Sequence, residues 1–390
     1  MEVVAEQQAV ASARRAMWPL LGAASVLAAS NSVFFPLLAQ LQDAYGLPTW
    51  GLGLISGTGF LVGLVVQLTV AGFADRGYAR VLLLSSLGVS VAGGLLFAAS
   101  SSLTPIVIAR ALGGFSAGCF IPAARAMAAS VDRDHVAHHL GRLASFELVG
   151  FVIGPVVGAA LSGPLGLRWP FVVFAGLALA ALVALAGRRL PSLPTGEASS
   201  RPSLELLRNR AVLVAALVAL ALFLPVGVYD ALWARYLEDR GTSTLFVGLS
   251  FTLYGIPFAL LAARGGRIAD RVGAARAALL TLIAVAPITA LYGLLRWPLV
   301  IVSVAIVESC IQALAVPAAQ AAMAKATPPG RLAAGQGLAG ATQLAGASAV
   351  AMGAAPLYAA AGPEVVFVTA GALIAVIGVI AALLHRASAR

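Results

Sequence analysis

Apolar residues run in blocks of about 20 along the whole chain, and polar residues are confined to short breaks between them. Each block is long enough to cross a ~30 Å hydrocarbon core as a helix rising ~1.5 Å per residue. Strands of a membrane barrel would be ~10 residues with alternating polarity, and that pattern is absent. The blocks predict twelve spans, over 17–41, 50–72, 80–100, 103–129, 140–163 and 169–187, then 211–235, 246–263, 277–295, 298–324, 332–360 and 364–384. The one long polar break, 188–210, carries Pro191, Pro194, Gly196, Glu197, Ser199, Ser200, Arg201 and Pro202, a linker composition. The expected organisation is an all-α membrane protein with a six-helix bundle over 1–187, a linker over 188–210 and a second six-helix bundle over 211–390. The first block follows Arg14 and Arg15 and exceeds a signal-peptide core in length, so it reads as a retained helix.

Composition agrees with the pattern. Hydrophobic residues make up 61% and charged residues 10%, against roughly 45–50% and 25% in soluble domains. The net charge of +10 would point to nucleic acid if its cations formed a patch. They do not. An even number of spans puts both termini on one side, and on that assumption 19 of the 25 Lys and Arg fall in segments on that same side. The positive-inside rule makes that side the cytoplasm, so the cations mark topology and contact with anionic lipid. Cys119 and Cys310 both lie within apolar spans, where small buried side chains are expected rather than a disulfide or a metal site. No nucleotide loop, metal cluster or nucleophile-base set is present, so no enzyme and no cofactor is expected.

The halves of the chain repeat. Ala71-Gly72-Phe73-Ala74-Asp75-Arg76-Gly77-Tyr78-Ala79 is matched 195 positions on by Gly266-Arg267-Ile268-Ala269-Asp270-Arg271-Val272-Gly273-Ala274. At the same offset Gly46 pairs with Gly241, Thr49 with Thr244, Gly53 with Gly248, and Pro122 with Pro317. Each Asp-Arg pair is expected in a tight turn between spans. There the Asp can accept from a helix N-terminus while the Arg reaches a neighbouring helix end, with Asp132 or Asp134 as partners for Arg76 or Arg80.

These residues resemble the major facilitator superfamily over the whole chain. Its signature between helices 2 and 3, Gly-x-Leu-Ala-Asp-Arg-x-Gly-Arg-Arg, is kept by Gly266, Ala269, Asp270, Arg271 and Gly273, with Ile268 for Leu. The first copy departs from it: Ala71 and Tyr78 stand where glycines are expected, and the basic residue comes late, at Arg80. The resemblance implies a cytoplasmic gate at Asp75, Arg76, Arg80, Asp270 and Arg271. Span 4 carries Arg110, Gly114 and Gly118, similar to the helix-4 pattern Arg-x-x-x-Gly-x-Gly, with Ser116 at one glycine position. Span 5 carries Gly150, Gly154, Pro155 and Gly158, resembling the antiporter motif of the drug:proton branch; the corresponding span 11 has Ala345 and Ala349 instead. Close helix packing alone would also use glycines four apart. The resemblance further implies that helices 1, 4, 7 and 10 line a cavity, that 3, 6, 9 and 12 face lipid, and that the protein is a monomer.

Charges deep in spans are costly and mark function unless they are merely paired. There are four: Arg110, Glu147, Asp230 and Glu308. Glu308 lies near the bilayer centre, with Gln312 one helical turn on, and its charged form is disfavoured there. It is the first candidate for carrying protons, followed by Asp230 and Glu147, with a static pair as the alternative for each. An Arg110–Glu308 pair across the cavity would break on protonation or cargo binding, although Arg110 can also snorkel outward. Tyr229, which precedes Asp230, is a further candidate for the cavity; Asn31, Gln40, Tyr254 and Gln343 are weaker ones, and ordinary interhelical hydrogen bonding accounts for these four at least as well. The expected function is proton-coupled export of small lipophilic or cationic compounds across the plasma membrane, with both termini cytoplasmic. Export of a sugar, amino acid or lipid is the second transport reading, and a receptor or scaffold that does not transport is the alternative of another class.

Overall fold

The structure, a computed structural model, describes residues 2–70, 73–130, 136–188, 203–328 and 331–388. Helices dominate it: α1 Glu2–Ser32, α2 Leu38–Tyr45, α3 Thr49–Thr69, α4 Ala79–Ala99, α5 Leu103–Ser130, α6 Val136–Leu165, α7 Trp169–Ala186, α8 Arg210–Glu238, α9 Thr244–Val272, α10 Ala274–Tyr292, α11 Pro298–Ala326 and α12 Leu332–Ser388. Eleven stretches among the described residues are long and apolar enough to cross a membrane. The last of these, Ala334–Ala387, has 54 residues, about 80 Å of helix and far more than one crossing needs. Gly362 breaks it with φ 80° and ψ 179°, next to Pro363, so α12 makes two crossings and the total is twelve.

Three expectations need correction. Span 1 is not one continuous helix. Pro36 has no N–H to continue the helical ladder, and α1 gives way at Val33–Phe34 to a short 3-10 turn, Phe35–Leu37, before α2. Span 8 does not stop at 263; α9 runs on to Val272, so Asp270 and Arg271 sit in its final turn rather than in a loop. The first Asp-Arg copy has not lost its turn glycine. The turn over Ala74–Tyr78 uses Gly77, with φ 92°, one position earlier than its counterpart Gly273, with φ 98°. The side chains of Asp75 and Arg76, and all of Asp132 and Asp134, lie outside the described residues.

Every positive φ among the described residues is a glycine, and the six form three equivalent pairs. Gly46 and Gly241 turn the chain between the first and second span of each half, Gly77 and Gly273 between the second and third, and Gly166 and Gly362 between the fifth and sixth. The left-handed region carries a steric cost for a residue with a Cβ, so these turns preserve the duplication where the intervening sequence has drifted.

The chain divides into two compact units, 1–37 with 65–198 and 38–64 with 199–390. The boundary therefore does not follow the sequence halves, because α2 and most of α3 pack with the second unit. Within the first unit α1 lies on α6, and α4 lies on α5 and α7. Within the second, α8 lies on α12, and α10 lies on α11 and α12. The same scheme is thus used twice.

Close approach makes these pairs possible. A Cβ on Gly150 would stand 1.9 Å from the Ser25 carbonyl oxygen, one on Gly154 2.3 Å from Ser32 Oγ, and one on Gly158 2.7 Å from the Val33 carbonyl oxygen. The Gly-Pro motif of α6 is therefore a seam against α1. In the second unit both helices contribute to the seam: a Cβ on Gly227 of α8 would stand 2.3 Å from the Ala347 carbonyl oxygen, and one on Gly346 of α12 3.0 Å from the Leu220 carbonyl oxygen. Gly53 and Gly57 likewise let α3 approach α12, where Ser348 Oγ donates to the Gly57 carbonyl at 3.0 Å. Overpacking such a seam costs about 1–3 kcal/mol or more. Gly150→Val should lower the thermal unfolding midpoint of the detergent-purified protein by several degrees. Gly163→Ala, with nothing within 4 Å of the added carbon, should leave it near the parent value.

Candidate functional site

Glu308 is the eleventh residue of α11, so it stands about 15 Å along that helix. Its side chain has no solvent exposure. Two tyrosines from two other helices donate to the same oxygen: Tyr229 Oη of α8 at 2.8 Å from Oε2, and Tyr292 Oη, from the last residue of α10, at 2.7 Å. The other oxygen, Oε1, accepts no hydrogen bond among the described residues. Gln312, one turn further on, is buried beside it, as the helical spacing predicts. Ser309, next to Glu308, donates to the carbonyl of Tyr254, which ties α11 to α9.

The carboxylate sits against an aromatic wall. Tyr229, Trp233 and Tyr236 follow one another at helical spacing on α8 and pack with Tyr292 and Phe367. The Trp233 ring is edge-on to Tyr229 at 5.2 Å and to Tyr292 at 5.4 Å. Trp233 Nε1 donates to Ser250 Oγ of α9 at 2.9 Å. Tyr236 Oη donates to the Tyr292 carbonyl, which fixes the end of α10 where its tyrosine enters the site. A deeply placed carboxylate is tolerable when donors replace water, and edge-on aromatic pairs hold those donors in place.

The remaining expected residues are distributed as follows. Asp230 is buried on α8 beside Tyr229. Arg110 is buried in the first unit, its guanidinium 4.2 Å from the Phe34 ring centroid, and it lines a small cavity with Asn31, Phe97, Phe171 and Phe174. Asn31 donates to the Leu27 carbonyl of its own helix at 3.1 Å. Glu147 Oε2 lies 3.5 Å from the guanidinium of Arg125. Gln343 is half-buried on α12. Arg80 donates to the carbonyls of Ala186, at 2.8 Å, and Arg188, at 3.1 Å; it caps the end of α7, an electrostatically favourable place for a cation. Asp270 is paired with Lys325 at 3.3 Å, while Arg271 is exposed.

Two groups of residues escaped sequence reasoning. Tyr292 and Phe367 come from spans 9 and 12, which the resemblance assigns to lipid, and only the packing of α10 against α11 and α12 brings them inward. The stripe Tyr229, Trp233, Tyr236 was the legible signal. The second group is a clasp at the far end of α8. Arg235 bonds Asp43 of α2 at 2.5 Å and Asp239 at 2.7 Å, and Tyr358 Oη donates to Asp239 at 2.7 Å. Arg240 lies 3.8 Å from the Tyr236 ring and donates to the Leu295 carbonyl at 3.1 Å.

Twelve helical crossings, repeated packing in the two units and a buried acid on span 10 define a multi-pass membrane protein. Comparison with known proteins gives its family. The model of the Major Facilitator Superfamily matches residues 20–232 and 216–390, and the chain belongs to that family. Multidrug resistance protein MdtG of Salmonella paratyphi C is 29% identical over 264 residues, 64% of this chain and 65% of that protein. The chain thus spans a little under two thirds of that relative's length. Multidrug resistance protein B homolog of Mycobacterium tuberculosis is 34% identical over 131 residues, 32% of this chain and 24% of that protein. The fold is shared with the nucleoside transporter NupG at a TM-score of 0.79 and 12% identity, covering 95% of this chain and 99% of NupG. It is also shared with a bacterial homolog of the human lysosomal transporter Spinster, at 0.77 and 14% identity, over 96% and 97% of the two chains.

Tyr229→Phe/Tyr292→Phe leaves a buried carboxyl without its two donors and should destabilise the protein by about 2–3 kcal/mol. Thermal unfolding of the detergent-purified protein checks this. The clasp is partly exposed, with Asp43 at 62%, so a double-mutant cycle on Asp43→Asn and Arg235→Gln should give a coupling of no more than about 1 kcal/mol.

Proposed function

We propose that this protein is a secondary active transporter that exports small lipophilic or cationic compounds in exchange for protons. The observation that carries this reading is the Glu308 carboxyl, without solvent exposure, bonded by Tyr229 and Tyr292 on one oxygen, its other oxygen buried and the carboxyl flanked by Gln312. A proton taken up at Oε1 neutralises the group while both tyrosines stay in place. A lipophilic cation entering the aromatic wall is favoured by the ionised carboxylate and by the ring faces of Tyr229 and Trp233. The two occupants therefore compete for one negative charge, which is the minimum that antiport requires. Glu308 binds the exchangeable proton; Gln312 and the two tyrosines position the carboxylate. The likeness to two proteins named for multidrug resistance supports this choice of cargo over a sugar, an amino acid or a lipid.

The rest of the proposal follows from alternating access about such a site. The sequence halves 1–187 and 211–390, joined by 188–210, rock against one another. Asp75, Arg76, Arg80, Asp270 and Arg271 belong to the cytoplasmic gate, where the Asp270–Lys325 pair and the capping of α7 by Arg80 are its described contacts. Asp230 and Glu147 are secondary titrating groups, and Arg110 belongs to the cavity lining. Both termini lie in the cytoplasm and the protein in the plasma membrane on this reading, which the distribution of basic residues supports. The protein acts as a monomer, with a small-molecule substrate, protons and membrane lipids as its partners.

Glu308→Gln, nearly isosteric, should abolish efflux driven by a pH gradient in proteoliposomes while leaving unfolding close to the parent. Undiminished proton-coupled transport in that variant removes Glu308 from the mechanism. A thermal-shift screen of cationic, sugar and nucleoside ligands identifies the cargo class, since a ligand that binds only the folded state raises its unfolding temperature. Stabilisation by sugars or nucleosides and by no lipophilic cation excludes the drug-export reading.

A further inference from the structure

A second cavity lies far from Glu308 along α11. Four helix ends meet there: the starts of α8 and α10, near Ala211 and Ala274, and the ends of α11 and α12, near Lys325 and His385. The cavity is large, about 370 Å3. Its depth is apolar and buried, formed by residues such as Val214, Val218 and Ala278. Its polar lining is basic: Arg276 and Lys325 are exposed and His385 is half-buried. No carboxylate lines it among the described residues. Nothing in the transport cycle proposed above uses this site.

We propose that this cavity binds an anionic phospholipid, with the headgroup phosphate at Arg276, Lys325 and His385 and part of an acyl chain against Val214, Val218 and Ala278. The charges are complementary, and basic pockets between membrane helices on the cytoplasmic side are a recurring way of holding anionic headgroups. The apolar depth decides between a lipid and a free phosphate. A soluble anion would meet the basic rim and leave the apolar walls wet, whereas an acyl chain covers them at a gain of roughly 25 cal/mol per Å2. The ends of membrane helices also lie at the depth of the headgroups, so a lipid reaches the rim without leaving the bilayer. Because Lys325 also bonds Asp270, a bound headgroup is linked directly to the second Asp-Arg segment.

The test uses delipidated, detergent-purified protein titrated with dioleoyl phosphatidylglycerol, dioleoyl phosphatidylcholine or glycerol 3-phosphate, followed by thermal unfolding. Phosphatidylglycerol should raise the unfolding temperature by several degrees beyond phosphatidylcholine, and glycerol 3-phosphate should not. Each cation near an anionic headgroup is worth about a fivefold change in affinity. Arg276→Gln should therefore weaken phosphatidylglycerol about fivefold and Arg276→Gln/Lys325→Gln about 30-fold. The single variant leaves the Asp270 pair intact, and it carries the test if the double variant does not fold. Equal stabilisation by the two lipids overturns the proposal, as does an undiminished preference for phosphatidylglycerol in Arg276→Gln. A full shift with glycerol 3-phosphate alone makes the cavity a site for soluble phosphates and overturns the lipid assignment.

Discussion

A carboxylate deep in a membrane-crossing helix must be bonded by its neighbours, because no water is there to do it. Much of the second unit follows from that requirement at Glu308. Two tyrosine hydroxyls reach it from α8 and α10. The tyrosine of α10 is the last residue of its helix, so the helix end has to be fixed, and Tyr236 fixes it by bonding the Tyr292 carbonyl. Trp233 and Phe367 fill the space around the donors. Each member therefore acts on Glu308 by holding its donors in place.

The duplication is expressed in backbone geometry more faithfully than in side chains. Turns occur at equivalent places because each needs a residue free of the Cβ penalty, and glycine meets that need at 46 and 241, 77 and 273, 166 and 362. The seams between helices are equivalent too, but they are built differently. Gly150, Gly154 and Gly158 of α6 accommodate α1, while in the other unit both helices contribute, Gly227 of α8 and Gly346 of α12. Selection for close approach acts on the pair of helices and is indifferent to which partner supplies the gap. A Gly-x-x-x-Gly-Pro pattern in one half alone is therefore compatible with symmetric packing, and its resemblance to an antiporter motif gains weight only together with the buried acid.

The charges near helix ends have unequal tasks. Arg80 satisfies the terminal carbonyls of α7, Lys325 answers Asp270, and Arg235 ties α2 to α8 through Asp43 and Asp239. Exposed pairs of this kind contribute little to stability singly. The buried bonds from Tyr229 and Tyr292 to Glu308 are of the opposite sort, costly to break.

The sequence alone determined the twelve crossings, the duplication, the depth of Glu308 and the face it shares with Gln312. Those depend on hydrophobic run length and helical periodicity, which are local properties. It also located Tyr229, although without its role. It missed the break in span 1 at Pro36 and ended span 8 too early, since the helical hydrogen bonds that stop at Pro36 and carry α9 past Pro257 and Gly265 to Val272 are not registered in a hydropathy pattern. Tertiary structure alone decided which donors Glu308 receives. Tyr292 is 16 positions away in the chain and Tyr229 is 79, and their approach depends on how α8, α10 and α11 pack. It also decided that Arg235 meets Asp43, 192 positions away, and that Glu147 is paired with Arg125. Whether a buried charge is partnered is a property of the space around it, and that space is assembled from helices distant in sequence.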